Sequence, residues 1–252
     1  MKIHTIPTLQ NNYTYVIEYD DGRALVVDPS QSRPVLWFLE EYNLNLTYIL
    51  ITHGHVDHTA GIGDLKSRHR CDVIVSDRRI PGRDTVVKDN DEIELPFLNI
   101  NVIATPGHTA SDVSYLVISP DHPAALFTGD TLFVSGCGRV MGSGARTLYA
   151  SLCRLADFPG DTRVYVGHEY TEENCEFALS IAPDYPPFQT RQQEIQSLLK
   201  SNKPTVPSTI AAEKAANPFL LADSSIIRKA LDMPNAPAWQ VFAELRKRKD
   251  HF

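Results

Sequence analysis

Three imidazoles and a carboxylate stand within six residues at His53-Gly54-His55-Val56-Asp57-His58, directly after the apolar run Tyr48-Ile49-Leu50-Ile51. That run is short, bounded and β-branched, which predicts a buried strand. The histidines then lie on the loop leaving the strand's carboxyl end, where open α/β sheets place their ligands. In extended chain His53 and His55 point the same way, because side chains alternate with period two. Asp57 and His58 follow where the chain turns into a helix, so they can aim at a neighbouring point. Two close but distinct donor clusters suit two metal ions better than one. The competing reading is a polar loop whose histidines only cap backbone groups, and four ligand-type residues in six positions weigh against it.

The remaining composition is that of an ordinary soluble protein. At 252 residues, 42% hydrophobic and 22% charged, the chain can build a sizeable core. No apolar stretch approaches the roughly 20 residues of a membrane span, and Met1 to Pro7 lacks a signal-peptide core, so a cytoplasmic protein is expected. Cys71, Cys137, Cys153 and Cys175 form no C-x-x-C pair and read mostly as buried free thiols. The net charge of −7 is uneven: residues 1–170 hold 14 basic against 21 acidic side chains, residues 171–252 hold 10 against 10. Nucleic acid is a poor partner for such a surface. The local exception is the basic run Arg246-Lys247-Arg248-Lys249.

Along the chain, Lys2 to Leu9, Tyr13 to Tyr19 and Arg23 to Val27 predict an antiparallel meander, punctuated by Asn11-Asn12 and Asp20-Asp21-Gly22. A helix opened by Pro34, the strand before the histidine loop, a helix over 59–69 and a strand over 72–76 follow. Further strands are predicted near 92–94, 98–105, 113–119, 124–128 and 163–166, with a Gly-rich loop at Ser135-Gly136-Cys137-Gly138 and a helix over 146–157. From Thr171 only helical spacing remains, interrupted by prolines, with helices near 172–181, 190–201, 208–216, 224–231 and 239–249. The shift near residue 170 sets the expected boundary between a domain over 1–170 and a helical domain over 171–252.

One grammar recurs: a β run, a small residue, then a metal-competent side chain. It yields His108 after Gly107, Asp130 after Gly129 and His168 after Gly167. Each alone is more often a polar loop residue. All three together with the histidine loop favour a metal centre. His4, His69, His122 and His251 lack this setting and are expected at the surface.

At this point the chain resembles the metallo-β-lactamase superfamily, whose signature His-x-His-x-Asp-His stands here as His53-x-His55-x-Asp57-His58. Within it the chain is similar to the glyoxalase II (hydroxyacylglutathione hydrolase) family over essentially its whole length. Carrying the match are Thr105-Pro106-Gly107-His108-Thr109, Gly129-Asp130-Thr131-Leu132-Phe133, Gly136-Cys137-Gly138-Arg139, Gly167-His168-Glu169-Tyr170-Thr171, Asn217-Pro218-Phe219 and Leu245 to Asp250. Pro29-Ser30 and Val140-Met141-Gly142-Ser143-Gly144 depart from the family pattern.

The resemblance implies a four-layer αβ/βα sandwich with a C-terminal all-helical domain. It implies that His53, His55 and His108 hold one metal and Asp57, His58 and His168 the other, with Asp130 shared. Zinc suits these donors, and iron or manganese is compatible because no thiolate fixes the choice. The implied activity is hydrolysis of S-(2-hydroxyacyl)glutathione thioesters by a metal-bridging hydroxide, with Arg139, Tyr170, Arg246 and Lys249 contacting a monomer's small-molecule substrate. Neither G-x-S-x-G nor a plausible Cys–His pair is visible for nucleophilic catalysis. For the basic run, charge alone favours a helix end complementing its dipole. Tyr170 can equally be core filling. A lactone or other ester hydrolase, a single-iron persulfide dioxygenase and an inactive scaffold are the alternatives, and the last would be expected to have lost ligands.

Overall fold

The computed structural model describes residues 1–20 and 22–252; Asp21, in the expected Asp20-Asp21-Gly22 turn, lies outside the described residues. Contacts gather the chain into two compact units, Met1–Ala104 with Ser111–Gly129, and Thr105–Ala110 with Asp130–Phe252.

In the first unit run β1 (Lys2–Thr8), β2 (Asn12–Asp20), β3 (Arg23–Val27), α1 (Ser32–Glu41), β4 (Asn45–Leu50), α2 (Val56–Thr59), α3 (Ile62–Arg68), β5 (Asp72–Val75), β6 (Thr85–Val86), β7 (Glu92–Leu95), β8 (Leu98–Ala104), β9 (Val113–Ser119) and β10 (His122–Gly129). One sheet has the order β1-β2-β3-β4-β5-β6. Its first three strands are an antiparallel meander and its last three add in parallel. Strands β7 to β10 form an antiparallel run in which each pairs with the next along the chain or by one short reversal. The two sheets meet through Tyr15 of β2, whose ring lies 5.3 Å from that of Phe127 of β10, and through Tyr115 of β9, whose hydroxyl donates to the Ile51 carbonyl at 3.0 Å. The outer face of the first sheet is closed by Val35 and Leu39 of α1 and Ile62 and Leu65 of α3, packed on Val16, Val26, Ile49 and Val73. Burying such aliphatic side chains contributes about 1.5–3 kcal/mol each.

The second unit holds β11 (Leu132–Phe133), β12 (Gly136–Cys137), α4 (Ala145–Ala156), β13 (Arg163–Val166), α5 (Thr171–Ile181), α6 (Pro186–Lys200), β14 (Ser208–Thr209), α7 (Ile210–Ala216), α8 (Ser225–Ala230) and α9 (Ala238–Lys249). Its core includes Leu148, Leu152, Phe177, Phe188, Phe219 and Phe242, all buried.

Several local expectations are corrected. The helix expected over 59–69 is α3, Ile62–Arg68, and the separate turn α2 precedes it; between them Gly61 donates to the Pro29 carbonyl at 2.8 Å and a Cβ there would lie 2.7 Å from that oxygen. The close approach bends the chain between them. Helix α6 starts at Pro186 rather than near 190, since two prolines fit the first turn where no amide partner exists. Helix α7 starts at Ile210, not 208. Ser208 and Thr209 pair with β13, and the Thr209 hydroxyl caps the helix by accepting from the Ala212 amide at 3.2 Å. The Gly-rich loop is a hairpin, β11–β12. His4 and His69 are half-buried rather than superficial, and burial lowers the pKa of each ring. Cys71, Cys137 and Cys175 are buried and Cys153 is exposed.

Candidate metal centre

The histidine loop leaves β4 and enters α2, and its supports come from the neighbouring strands. His53 Nε2 lies 3.0 Å from His55 Nδ1, as the shared direction of alternate residues requires. Asp28, which ends β3 in a left-handed conformation (φ 49°), accepts from the Thr52 amide at 2.8 Å and the Thr52 hydroxyl at 2.6 Å. The same carboxylate lies 2.9 Å from His58 Nδ1. A carboxylate on Nδ1 fixes the tautomer and leaves Nε2 as the metal-facing donor. Asn12 of β2 donates to both the carbonyl and the carboxylate of Asp57 at 3.1 Å. Gly129 presses on Thr52: a Cβ there would stand 2.3 Å from its hydroxyl, and its φ is +49°.

In the other unit the donors arrive singly. Gly107 (φ +148°) is jammed against Leu148 of α4, where a Cβ would sit 2.5 Å away, and the Ser151 hydroxyl donates to the Pro106 carbonyl at 2.7 Å. His108 Nδ1 is 3.0 Å from the Arg139 carbonyl, so it carries the proton and leaves Nε2 as the metal-facing donor. Asp130 Oδ2 lies 3.5 Å from His108 Nε2 and 3.3 Å from His168 Nε2. The His168 ring stacks on Tyr170 at 4.9 Å with 6° between planes.

The potential donor atoms fall into two groups, His53, His55, His108 and Asp130, and Asp57, His58 and His168, each with all atoms within 4.8 Å of one another. Five imidazoles and two carboxylates, with two rings already oriented through Nδ1, fit a binuclear site for divalent ions of borderline hardness.

The four expected substrate contacts have different settings. The Arg139 side chain is 73% exposed, with Nε 3.9 Å from Asp250. Tyr170 packs on His168 and against the edge of Phe133. Arg246 and Lys249 are buried although they end a helix. Arg246 donates to the Cys137 carbonyl at 2.9 Å, pairs with Asp250 at 3.0 Å and lies over Phe219. Lys249 pairs with Glu173 and lies between Phe177 and Phe252. Burial on aromatic rings is more than a dipole effect at an exposed helix end needs.

Asp28 escapes the sequence reading, although it too follows a β run as Asp130 does. Asn12, which holds Asp57, enters the sequence reading only as part of the Asn11-Asn12 turn.

The family profile described as Metallo-beta-lactamase superfamily matches residues 7–168, and that described as Hydroxyacylglutathione hydrolase C-terminus matches 169–252. A hydroxyacylglutathione hydrolase of Methylococcus capsulatus is 40% identical, covering 100% of this chain and 99% of its own. One of Brucella anthropi is 43% identical, covering 96% and 94%. Among solved structures, ETHE1 from Myxococcus xanthus aligns with a TM-score of 0.67 at 29% identity over 98% and 97% of the two chains. TTHA1623, solved in a di-iron-bound form, shares the fold at a TM-score of 0.60 and 23% identity, over 87% of this chain and 100% of its own. A full-length likeness that includes the helical C-terminus places this chain in the hydroxyacylglutathione hydrolase family of the metallo-β-lactamase superfamily.

Proposed function

We propose that the chain hydrolyses S-(2-hydroxyacyl)glutathione thioesters, S-D-lactoylglutathione to D-lactate and glutathione among them. The observation that carries this reading is the joint presence of seven donors in two groups and of the helical C-terminal segment with its basic end. In this reading residues 1–170 carry the metal chemistry and 171–252 the recognition of glutathione. His53, His55 and His108 would hold one ion and Asp57, His58 and His168 the other. Asp130 would serve both, in keeping with its nearness to one histidine of each group. Two divalent ions bound there, zinc in preference to iron or manganese, would supply Lewis acidity toward the thioester carbonyl and lower the pKa of water. The chain's own residues fix the donors: Asp28 orients His58, the Arg139 carbonyl orients His108, and Asn12 holds Asp57.

Arg139, Tyr170, Arg246 and Lys249 recognise the substrate, the cations through the glutathione carboxylates. The excess of acidic side chains fits a small-molecule substrate rather than nucleic acid. The protein acts as a cytoplasmic monomer.

Steady-state hydrolysis of S-D-lactoylglutathione, with metal content measured on the same sample, tests the reading. A charge-assisted hydrogen bond is worth about 1.5–3 kcal/mol, so Lys249→Ala is expected to raise KM about 10-fold or more with kcat unchanged. Arg246→Ala should do the same and also lower stability, because its guanidinium carries the Cys137 carbonyl. A thioester lacking the glutathione carboxylates should be nearly insensitive to either change. Equal rate losses on both substrates would leave the basic run a purely structural element.

A further inference from the structure

Residues 131–138 are buried throughout, yet the hairpin they contain has only two residue pairs, Leu132 with Cys137 and Phe133 with Gly136. Two pairs cannot hold a hairpin in place, and buried main-chain groups need partners. Side chains from the helical segment supply them at five consecutive residues. Asn217, which follows α7, donates to the carbonyls of Phe133 and Gly136 at 3.3 and 2.9 Å. Asn174 of α5 donates to the Val134 carbonyl at 3.1 Å. The Ser135 amide donates to Glu213 of α7 at 2.7 Å, and Arg246 of α9 holds the Cys137 carbonyl. Glu213 and Asn217 are themselves joined at 3.0 Å and are 1% and 0% exposed. A buried carboxylate is costly unless fully partnered. Here it accepts also from the Ser208 hydroxyl at 2.5 Å and lies 3.5 Å from Arg191.

The clamped hairpin runs straight into the support of two metal-ligand candidates. Gly138 donates to the Thr131 carbonyl at 3.3 Å, and a Cβ on Gly138 would fall 1.9 Å from the Asp130 carbonyl oxygen and 3.2 Å from His108 Nδ1. The next carbonyl, Arg139, is the one that takes His108 Nδ1, and Met141 then donates to the His108 carbonyl at 3.2 Å. The position of Arg139 follows from where Cys137 is held.

We propose that Glu213 and Asn217, assisted by Asn174, are positioning residues for His108 and Asp130: they clamp residues 133–137 so that the Arg139 carbonyl meets His108 Nδ1. The proposal rests on the metal reading above only for its affinity readout. Its first test needs no metal. In the metal-free full chain, the imidazole ¹⁵N signals of His108 should report a proton held on Nδ1. Asn217→Ala and Glu213→Ala should mix the two tautomers at His108 and leave His58, which Asp28 orients, unchanged. In the Co(II)-loaded full chain the same variants should weaken the ion on the His108 side by about 10-fold or more, the usual cost of losing an outer-shell partner, and the other ion, which shares only Asp130 with it, by less. Glu213→Gln should restore the parent behaviour, because its oxygen still accepts from Ser135 while the Ser208 hydroxyl reverses. Ile227→Ala, at the one buried position of α8, gives a control that loses stability without touching the hairpin. If Asn217→Ala does not fold, Asn174→Ala, which releases only Val134, reads the same signals. An unchanged His108 tautomer, or affinity losses that match those of Ile227→Ala, would reduce the clamp to ordinary scaffolding. A parent chain binding fewer than two ions would overturn the binuclear reading and leave the tautomer result standing.

Discussion

The histidine loop and the His108–Asp130–His168 set present the same types of potential donor by opposite means. In the loop, four donors share six residues, and their supports Asn12 and Asp28 come from the adjoining meander 45 and 30 residues earlier. In the other set each donor stands alone at a strand end, and the chain segment behind His108 and Asp130 is fastened by side chains 40 to 109 residues further on. A contiguous ligand loop can be oriented by local strands. A dispersed one needs long-range anchoring, which makes its geometry depend on how the rest of the chain packs.

The sharpest way to break this contrast is at Asp130. Asp130→Asn keeps the volume but removes the charge that two histidines approach. Activity on S-D-lactoylglutathione should fall by more than about 100-fold, beyond the range for losing a mere outer-shell partner, and bound metal should drop below two per chain. Elemental analysis, with circular dichroism to show the fold retained, measures both. Full activity at one ion per chain would remove Asp130 from its shared role.

The same contrast explains what could be read in advance. The meander, the loop strand and the helical tail were legible because periodicity and punctuation are local. The seven side chains that the structure gathers into two groups could be singled out as candidates because they follow β runs. The hairpin β11–β12 was not, since Leu132-Phe133 and Gly136-Cys137 are too short to show alternation and are held by Asn174, Glu213 and Asn217. Beta strand β14 stayed hidden for the same reason: two residues, Ser208 and Thr209, sit where helical spacing continues unbroken. Nor does the sequence show that Arg246 and Lys249 are buried on aromatic rings, because a basic helix end is ordinarily solvated.

A smaller effect is expected inside the histidine loop. Asp28→Asn removes one of the oxygens that receive the Thr52 amide, the Thr52 hydroxyl and His58. A buried donor left without a partner costs about 1–3 kcal/mol, which urea melts of the metal-free protein should register. Metal affinity should fall about 10- to 100-fold at one ion. If the loop instead tolerated this change while Asn217→Ala disturbed His108, local support would be redundant and distant support would be the limiting one.

The smallest effect lies at the outer edge of the loop, where the side chains of Asp77 and Ile80 flank Gly54. Arg79 donates to the Asp77 carboxylate at 2.6 Å through one terminal nitrogen and at 3.0 Å through Nε. Its own amide and the Ser111 hydroxyl donate as well. The Arg79 side chain is the main reason the Asp77 carboxyl is held down at about 2, below its ordinary 3.8, with partial burial opposing it. A carboxyl whose pKa is depressed in the folded state adds stability that is complete above about pH 4 and disappears as the pH falls through about 2. Arg79→Ala should therefore move the Asp77 midpoint upward in a carbon-detected titration, without reaching 3.8 while the Arg79 amide and Ser111 bonds persist. The stability difference from the parent should be present at pH 6 and fade as the pH falls through about 2. It should be small and weaken with salt, because the Arg79 side chain is 84% exposed and water screens the pair. An Asp77 midpoint that stays near 2 in the variant would show that the backbone amide and Ser111, rather than the guanidinium, set the charge at this edge of the loop.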